Sequence, residues 1–306
     1  MTNNKIVLLT GSSRGLGRAT AKNIAAFNEP ITLLATSRKA ENLNLKGTHK
    51  DTIIEYPQLD ILDKASIDSL YNDIVKKYGR VDVLINNAGS TFEESDNSTF
   101  GPEAVKKTFD LNYYAVVNTI EKFIPIIPAG GRVVNLSSQA SHQADFPNAD
   151  LKARIFDNKL TIPQLNALAK EYESASNNTD GSDGWLKDGF YPAYGTSKAF
   201  VNFLTACEAR AHPEIKFNAL CPGTCATELA SGLPEALKTK TADEGTRLIL
   251  RLGFGDIDNV NGKFWAGRST ADTGPGHVIE NWSGGEITWD YKNNEVPTAL
   301  FTSSAK

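Results

Sequence analysis

Residues 5–17 read KIVLLTGSSRGLG, an apolar run that ends at Thr10 and opens onto glycines at positions 11, 15 and 17. Lys5–Thr10 has the length and composition of a buried strand. From Gly15 to Phe27 the period changes, and Leu16, Ala19, Thr20, Asn23, Ile24 and Phe27 recur at helical spacing. A glycine turn between a strand and a helix has a specific use. A Cβ there would hold an anion away from the backbone, and the free amides of the helix start face the turn. Gly11, Ser13, Arg14, Gly15, Leu16 and Gly17 are therefore candidates to cradle a diphosphate. A tight turn serving packing alone is the other reading of the same residues.

The rest of the chain continues this rhythm. Ile31–Thr36, Thr52–Tyr56, Val81–Ile85, Arg132–Leu136, Lys216–Leu220 and Gly262–Ala266 are further short apolar runs. Between them Ala65–Tyr78, Glu103–Phe123 and Ala193–Arg210 carry helical periodicity. Apolar strands alternating with helices predict an α/β fold, a Rossmann-type doubly wound parallel sheet of about seven strands with helices on both faces. No linker divides the chain, so residues 1–306 are expected to form one domain. Two regions break the rhythm. Fifty-five residues separate Ser138 from Tyr194 without a strand signal, giving an expected helical insertion over about 140–190. Within it Thr161-Ile-Pro-Gln164 is a capping box before a stripe of Ile162, Leu165, Leu168, Ala169 and Tyr172. The tail from about 268 to 306 reads as irregular and surface-packed.

Composition narrows the possible functions. The chain is 40% hydrophobic and 22% charged, with a net charge of −4 and no basic block, which argues against nucleic acid as a partner. Its apolar runs fall far short of a spanning helix, and MTNNKIVLL lacks the basic start of a secretory leader. No membrane association is expected. The odd set Cys207, Cys221 and Cys225 is not a disulfide framework and suggests a reducing, cytoplasmic setting. His49, His142, His212 and His277 are not spaced as metal pairs, and no metal site is expected.

Folds that select NAD place an acid about twenty residues beyond the glycine turn, at the end of the second strand, to bind the ribose. Here that place is Thr36-Ser-Arg38, and the next carboxylate is Glu41. Arg38, flanked by Arg14, suits a 2′-phosphate, so NADP(H) is the expected cofactor. Both arginines could instead be solvated surface residues.

One further stretch carries chemistry. In FYPAYGTSKAF, residues 190–200, Tyr194 precedes Lys198 by one helical turn, so both lie on one face. A nearby ammonium favours tyrosinate and makes a phenol a better acid. A Tyr-x-x-x-Lys spacing alone arises readily by chance. Joined in order to the glycine turn, to Asn86-Asn-Ala-Gly89, to Asn112 and to Ser138, it resembles the short-chain dehydrogenase/reductase family over about residues 5–266. The long interval before Tyr194 is similar to that of the monomeric NADPH-dependent carbonyl reductases within that family.

This resemblance implies that Tyr194 is a proton donor, that Lys198 holds the nicotinamide ribose, that Ser138 binds the substrate carbonyl and that Asn112 holds a relay water. It further implies cofactor contacts from Asp60, Ile61, Asn87, Ala88, Gly89, Pro222, Gly223 and Thr227. The implied activity is reduction of an aldehyde, ketone or quinone to an alcohol by a monomer, the insertion covering the face through which relatives pair. A non-catalytic NADP-binding sensor and an alcohol dehydrogenase working oxidatively are the alternatives. Thr224 and Cys225 stand where carbonyl reductases often carry a bulky aromatic, and Gln139 and Ala140 follow Ser138, so a roomier or more polar pocket is expected. Trp185, Trp282 and Trp289 are candidates for aromatic walls or for ordinary packing.

Overall fold

The structure is a computed structural model that describes residues 4–94, 99–143, 148–178, 183–185, 187, 191–233 and 239–280. Its strands are β1 Lys5–Leu9, β2 Ile31–Ala35, β3 Ile53–Glu55, β4 Val83–Asn86, β5 Arg132–Leu136, β6 Lys216–Leu220, β7 Lys263–Ala266 and β8 His277–Val278. They form one sheet in the order β3-β2-β1-β4-β5-β6-β7-β8. All neighbours run parallel except β7 and β8. The sheet meets the expectation of about seven strands, with a short eighth at its edge. That strand lies in the part of the tail read as irregular, and two residues are too few to show a period of two. Residues 281–306, with Trp282 and Trp289, lie outside the described residues.

The helices are α1 Gly15–Ala25, α2 Lys64–Lys77, α3 Pro102–Phe109, α4 Ala115–Phe123, α5 Ala149–Ile155, α6 Ile162–Ala175, α7 Pro192–Ala211 and α8 Ala242–Phe254. Alternate side chains of β1 serve opposite faces, as a pleated strand requires. Val7 and Leu9 join Ile24 of α1 and Leu248, Ile249 and Leu252 of α8 in one core. Ile6 and Leu8 join α2, α4 and α7 in the other.

The expected single helix Glu103–Phe123 is interrupted. Asp110–Tyr114 forms a π turn between α3 and α4, with Asn112 at its middle. Single π turns inside α-helices recur at functional sites, because the extra residue re-aims the side chains around it. Here Asn112 turns to Ser90, while Tyr113 packs its ring 5.4 Å from that of Phe200.

The insertion folds as the capping box predicts. Thr161 N donates to Gln164 Oε1 at 2.9 Å, and α6 buries Leu165, Leu168, Ala169 and Tyr172 against α3 and α7. The Tyr172 ring lies tilted against those of Phe109 and Trp185, each at 5.2 Å, which makes Trp185 a packing residue. Each such buried aromatic contributes roughly 1.5–3 kcal/mol relative to exposure. A polar ladder then ties α7 to the sheet. Asn86 Nδ2 donates to Asn135 Oδ1 at 2.8 Å, and Asn135 Nδ2 donates to Thr205 Oγ1 at 2.9 Å. Buried amides of this kind specify one seating of the helix, since any other leaves them unpaired.

Candidate active site

Strand order reverses between β1 and β4, and ligands of open α/β sheets bind in the crevice outside such a point. The register places Leu9 opposite Ile85, so the glycine turn after β1 meets Asn87–Gly89 after β4. Thr10 Oγ1 accepts from the amides of Asn87 and Ala88, each at 3.0 Å. Asn87 Nδ2 returns bonds to the carbonyls of Thr10 at 2.9 Å and Gly11 at 3.0 Å.

The three glycines have different reasons to lack a side chain. Gly11 turns the chain at φ +69°, and a Cβ would stand 2.9 Å from that of Ala88. At Gly17 a Cβ would meet Gly11 O at 2.1 Å, so this glycine sets the close approach of α1 to the turn. Gly15 is the open one: a Cβ there would make ordinary contact with Glu228 Oε2 and Thr227 Cβ, each at 3.4 Å, and its left-handed φ of +49° is what favours glycine. Helix α1 begins with no side-chain cap and no acid in its first turn. Leu16 packs into the core beside α8, so only its backbone faces the turn. Ser13 is half-buried and Arg14 exposed.

Ser12 binds the end of β2 to this turn, its amide and hydroxyl both donating to Thr36 O at 2.9 and 3.0 Å. Arg38 follows two residues on and is exposed, and neither it nor Arg14 forms an ion pair with a described residue. The amide of Leu59 donates to Ser37 O at 2.9 Å, which brings Asp60 beside the same strand end. Asp60 Oδ1 accepts from the Leu62 amide at 3.0 Å, and Ile61 is buried in the core.

The candidate chemical groups converge where β4, β5 and α7 meet. The Tyr194 phenol lies near Ser138, whose hydroxyl favours the ionised phenol. Lys198 Nζ lies 5.6 Å from the Tyr194 ring centre and donates to Leu136 O at 2.8 Å. A Cβ on Gly89 would stand 3.0 Å from Asn112 Oδ1 and 3.3 Å from Lys198 Nζ, so Gly89 lies between the two. Asn112 accepts from the Ser90 amide at 3.0 Å, and its Nδ2 donates to Ser90 O at 2.8 Å and Ser197 Oγ at 3.0 Å. Ser137 and Gly195 seat α7 against β5. The Ser137 hydroxyl donates to Lys198 O at 2.9 Å, and a Cβ on Gly195 would meet Ala140 O at 2.7 Å.

Electrostatics here differ from the simple expectation that the ammonium acidifies the phenol. Burial pushes Tyr194 well above the ordinary tyrosine range, and the nearby Ser138 hydroxyl pulls it back only in part. Burial likewise pushes Lys198 down to about 8. Desolvation dominates because Lys198 is buried and Tyr194 half-buried, and Lys198 spends a donor on a backbone carbonyl. The consequence is a phenol that keeps its proton at neutral pH beside a lysine that is still mostly charged.

Beyond β6, Pro222 and Gly223 form a turn held from behind. Lys240 Nζ donates to Pro222 O at 3.1 Å, and a Cβ on Gly223 (φ +83°) would meet Thr270 O at 2.4 Å. The same loop returns through Thr227 to Gly15. Cys221 and Cys225 are buried and free, as is Cys207 on α7. Sequence reading did not find Lys240, Ser197 or the buried Glu93. Each acts through a bond to backbone or to a partner distant in sequence, and no local spacing signals that.

A family model for short chain dehydrogenases matches residues 5–149. The chain is also 32% identical over 261 residues to carbonyl reductase (NADPH) 3 of Rattus norvegicus, covering 82% of this chain and 91% of that one. This chain is a short-chain dehydrogenase. Another relative of the short-chain dehydrogenase is (+)-neomenthol dehydrogenase of Capsicum annuum, 27% identical over 86% of this chain and 96% of the relative. The fold is similar to that of salutaridine reductase from Papaver somniferum, with a TM-score of 0.69 at 23% identity over 85% of this chain and 99% of that one. As a short-chain dehydrogenase the protein is an oxidoreductase that uses a nicotinamide dinucleotide. The residues present fit that group: an uncapped helix start, an open Gly15 and a half-buried Thr227 leave backbone and hydroxyl donors for a diphosphate.

Proposed function

We propose that this chain, acting as a single domain in a reducing, cytoplasmic setting, reduces the carbonyl of an aldehyde, ketone or quinone with NADPH. The observation that carries the reading is the meeting of the Tyr194 phenol, the Ser138 hydroxyl, Lys198 and Asn112 around Gly89, beside the glycine turn. The names of relatives such as carbonyl reductase (NADPH) 3 support the same activity and cofactor. Gly11, Ser13, Arg14, Gly15, Leu16 and Gly17 would hold the diphosphate, with Asp60 and Ile61 at the adenine and Asn87–Gly89 as the floor. Pro222, Gly223, Thr227, Tyr194 and Lys198 would hold the nicotinamide end, and Arg38 the 2′-phosphate.

Bound NADPH supplies the hydride that adds to the carbonyl carbon. Ser138 donates to the carbonyl oxygen and polarises it toward attack. Tyr194, whose proton burial retains, passes that proton to the developing alkoxide, so the carbon gains a hydride and the oxygen a proton. Lys198 and Asn112 then refill the phenol from solvent.

The test is initial-rate NADPH oxidation against aldehydes, diketones and quinones. Tyr194→Phe should lower kcat by about 10²–10⁴-fold. Arg38→Ala should raise the KM for NADPH by roughly tenfold and leave that for NADH unchanged. Tight NADPH binding with no carbonyl turned over would favour a sensor, and equal effects of Arg38→Ala on both cofactors would remove the 2′-phosphate assignment.

A further inference from the structure

The N-terminus of α7 carries Tyr194 in its first turn, and how that turn is held decides where the phenol points. Its N-cap residue, Tyr191, sits in the left-handed region at φ +55° and provides no side-chain cap. Pro192 has no amide proton to satisfy. The amide of Gly195 makes the first intrahelical bond, to Tyr191 O at 2.8 Å. That leaves the amides of Ala193 and Tyr194, and one carboxylate takes both. Ala193 N donates to Glu93 Oε1 at 3.0 Å and Tyr194 N to Glu93 Oε2 at 2.8 Å.

Glu93 is 5% exposed and comes from the loop after β4, one hundred residues from Ala193. Burying a carboxylate without a cation is costly, and the positive end of a helix with two amides is a setting that offsets it. The same loop is anchored at its other end. Ser90 exchanges two bonds with Asn112, Asn112 donates to Ser197 Oγ, and Ser197 Oγ donates to Tyr194 O at 2.7 Å. Both backbone polar groups of Tyr194 are thus tied, by separate routes, to one short segment that begins at Gly89.

We infer that Glu93 is a positioning residue for catalysis: its carboxylate locks the Tyr194 backbone to the cofactor-floor loop and so sets the phenol for proton transfer. This rests on the reading of Tyr194 as proton donor. An isosteric amide cannot replace the carboxylate, because Gln presents one acceptor and an NH₂ that opposes the second backbone amide. A misplacement of the order of 1 Å at a reacting group costs up to about 10²-fold in rate.

The experiment compares wild type, Glu93→Gln, Glu93→Asp and Tyr194→Phe as full chains with NADPH and one carbonyl that wild type reduces. Glu93→Gln should lower kcat by about tenfold or more, leave the KM for NADPH within about threefold, and raise the solvent deuterium isotope effect on kcat as proton transfer becomes limiting. Glu93→Asp, which keeps both acceptor oxygens, should recover part of the loss. A purely structural role would lower the amount of active enzyme and leave the isotope effect at the wild-type value, which would overturn the inference. So would a wild-type kcat in Glu93→Gln while Tyr194→Phe is inactive. Full activity in Tyr194→Phe would instead remove the proton-donor reading on which the inference stands.

Discussion

The Lys198 ammonium is buried, and desolvation pushes its pKa down to about 8, so it holds its proton at pH 7 and loses it as pH rises through that value. If the charge is needed to receive NADPH, kcat/KM for NADPH should be level near pH 7 and fall about tenfold per pH unit above roughly 8.5, since this ratio reports the free enzyme. A profile flat to pH 9.5 would contradict that. Tyr194 and Lys198 were legible in the sequence only because Asn112, Ser138 and the glycine turn precede them in order. Glu93 was not legible at all. Its partners are backbone amides, which any residue supplies, and they lie across one hundred positions that no short pattern spans.

Among the elements, α7 carries both the candidate chemistry at its start and an unrelated electrostatic load near its end. Glu208 is 1% exposed, and among the described residues neither of its carboxylate oxygens has a hydrogen-bond partner. Burial first, and then Glu121, push its pKa up to about 7. His212 Nε2 stands 3.8 Å away and itself faces Glu214 on its other side at 3.6 Å. A carboxyl raised on folding favours the fold while protonated, and that contribution is lost as pH rises through about 7. Glu208→Gln should therefore stabilise the protein at pH 8 by roughly 1–3 kcal/mol and change little at pH 4.5. Urea midpoints at the two pH values check this, and an unchanged pH dependence would contradict it. The periodicity of the sequence gave away α6 and its capping box, because an amphipathic stripe and its cap are local. It did not reveal the π turn at Asp110–Tyr114, since one extra residue leaves the apolar spacing of Glu103–Phe123 nearly intact.

For the whole molecule, a parallel sheet with helices on both faces follows from how apolar strands alternate with helices, and the glycine turn marks one end of its crevice. Strand β8 escaped because a two-residue antiparallel pair depends on β7 and not on its own composition. The insertion has a consequence at this scale. Helix α6 lies on α3 and α7 and buries Tyr172 there, filling a face that an uncovered chain would leave apolar. Sedimentation at micromolar concentration should give one species near 33.2 kDa, and a stable tetramer would refute the covering role. In the proposed reaction hydride passes from NADPH to a carbonyl carbon at this site. Its most direct test is turnover of a carbonyl with NADPH deuterated at the transferring position, followed by mass spectrometry of the alcohol. With an aldehyde or ketone, wild type should place one deuterium on the carbinol carbon, and Tyr194→Phe should form far less alcohol, equally labelled; an alcohol formed without deuterium from either stereoisomer of the labelled cofactor, or no alcohol from any carbonyl despite bound NADPH, would overturn this.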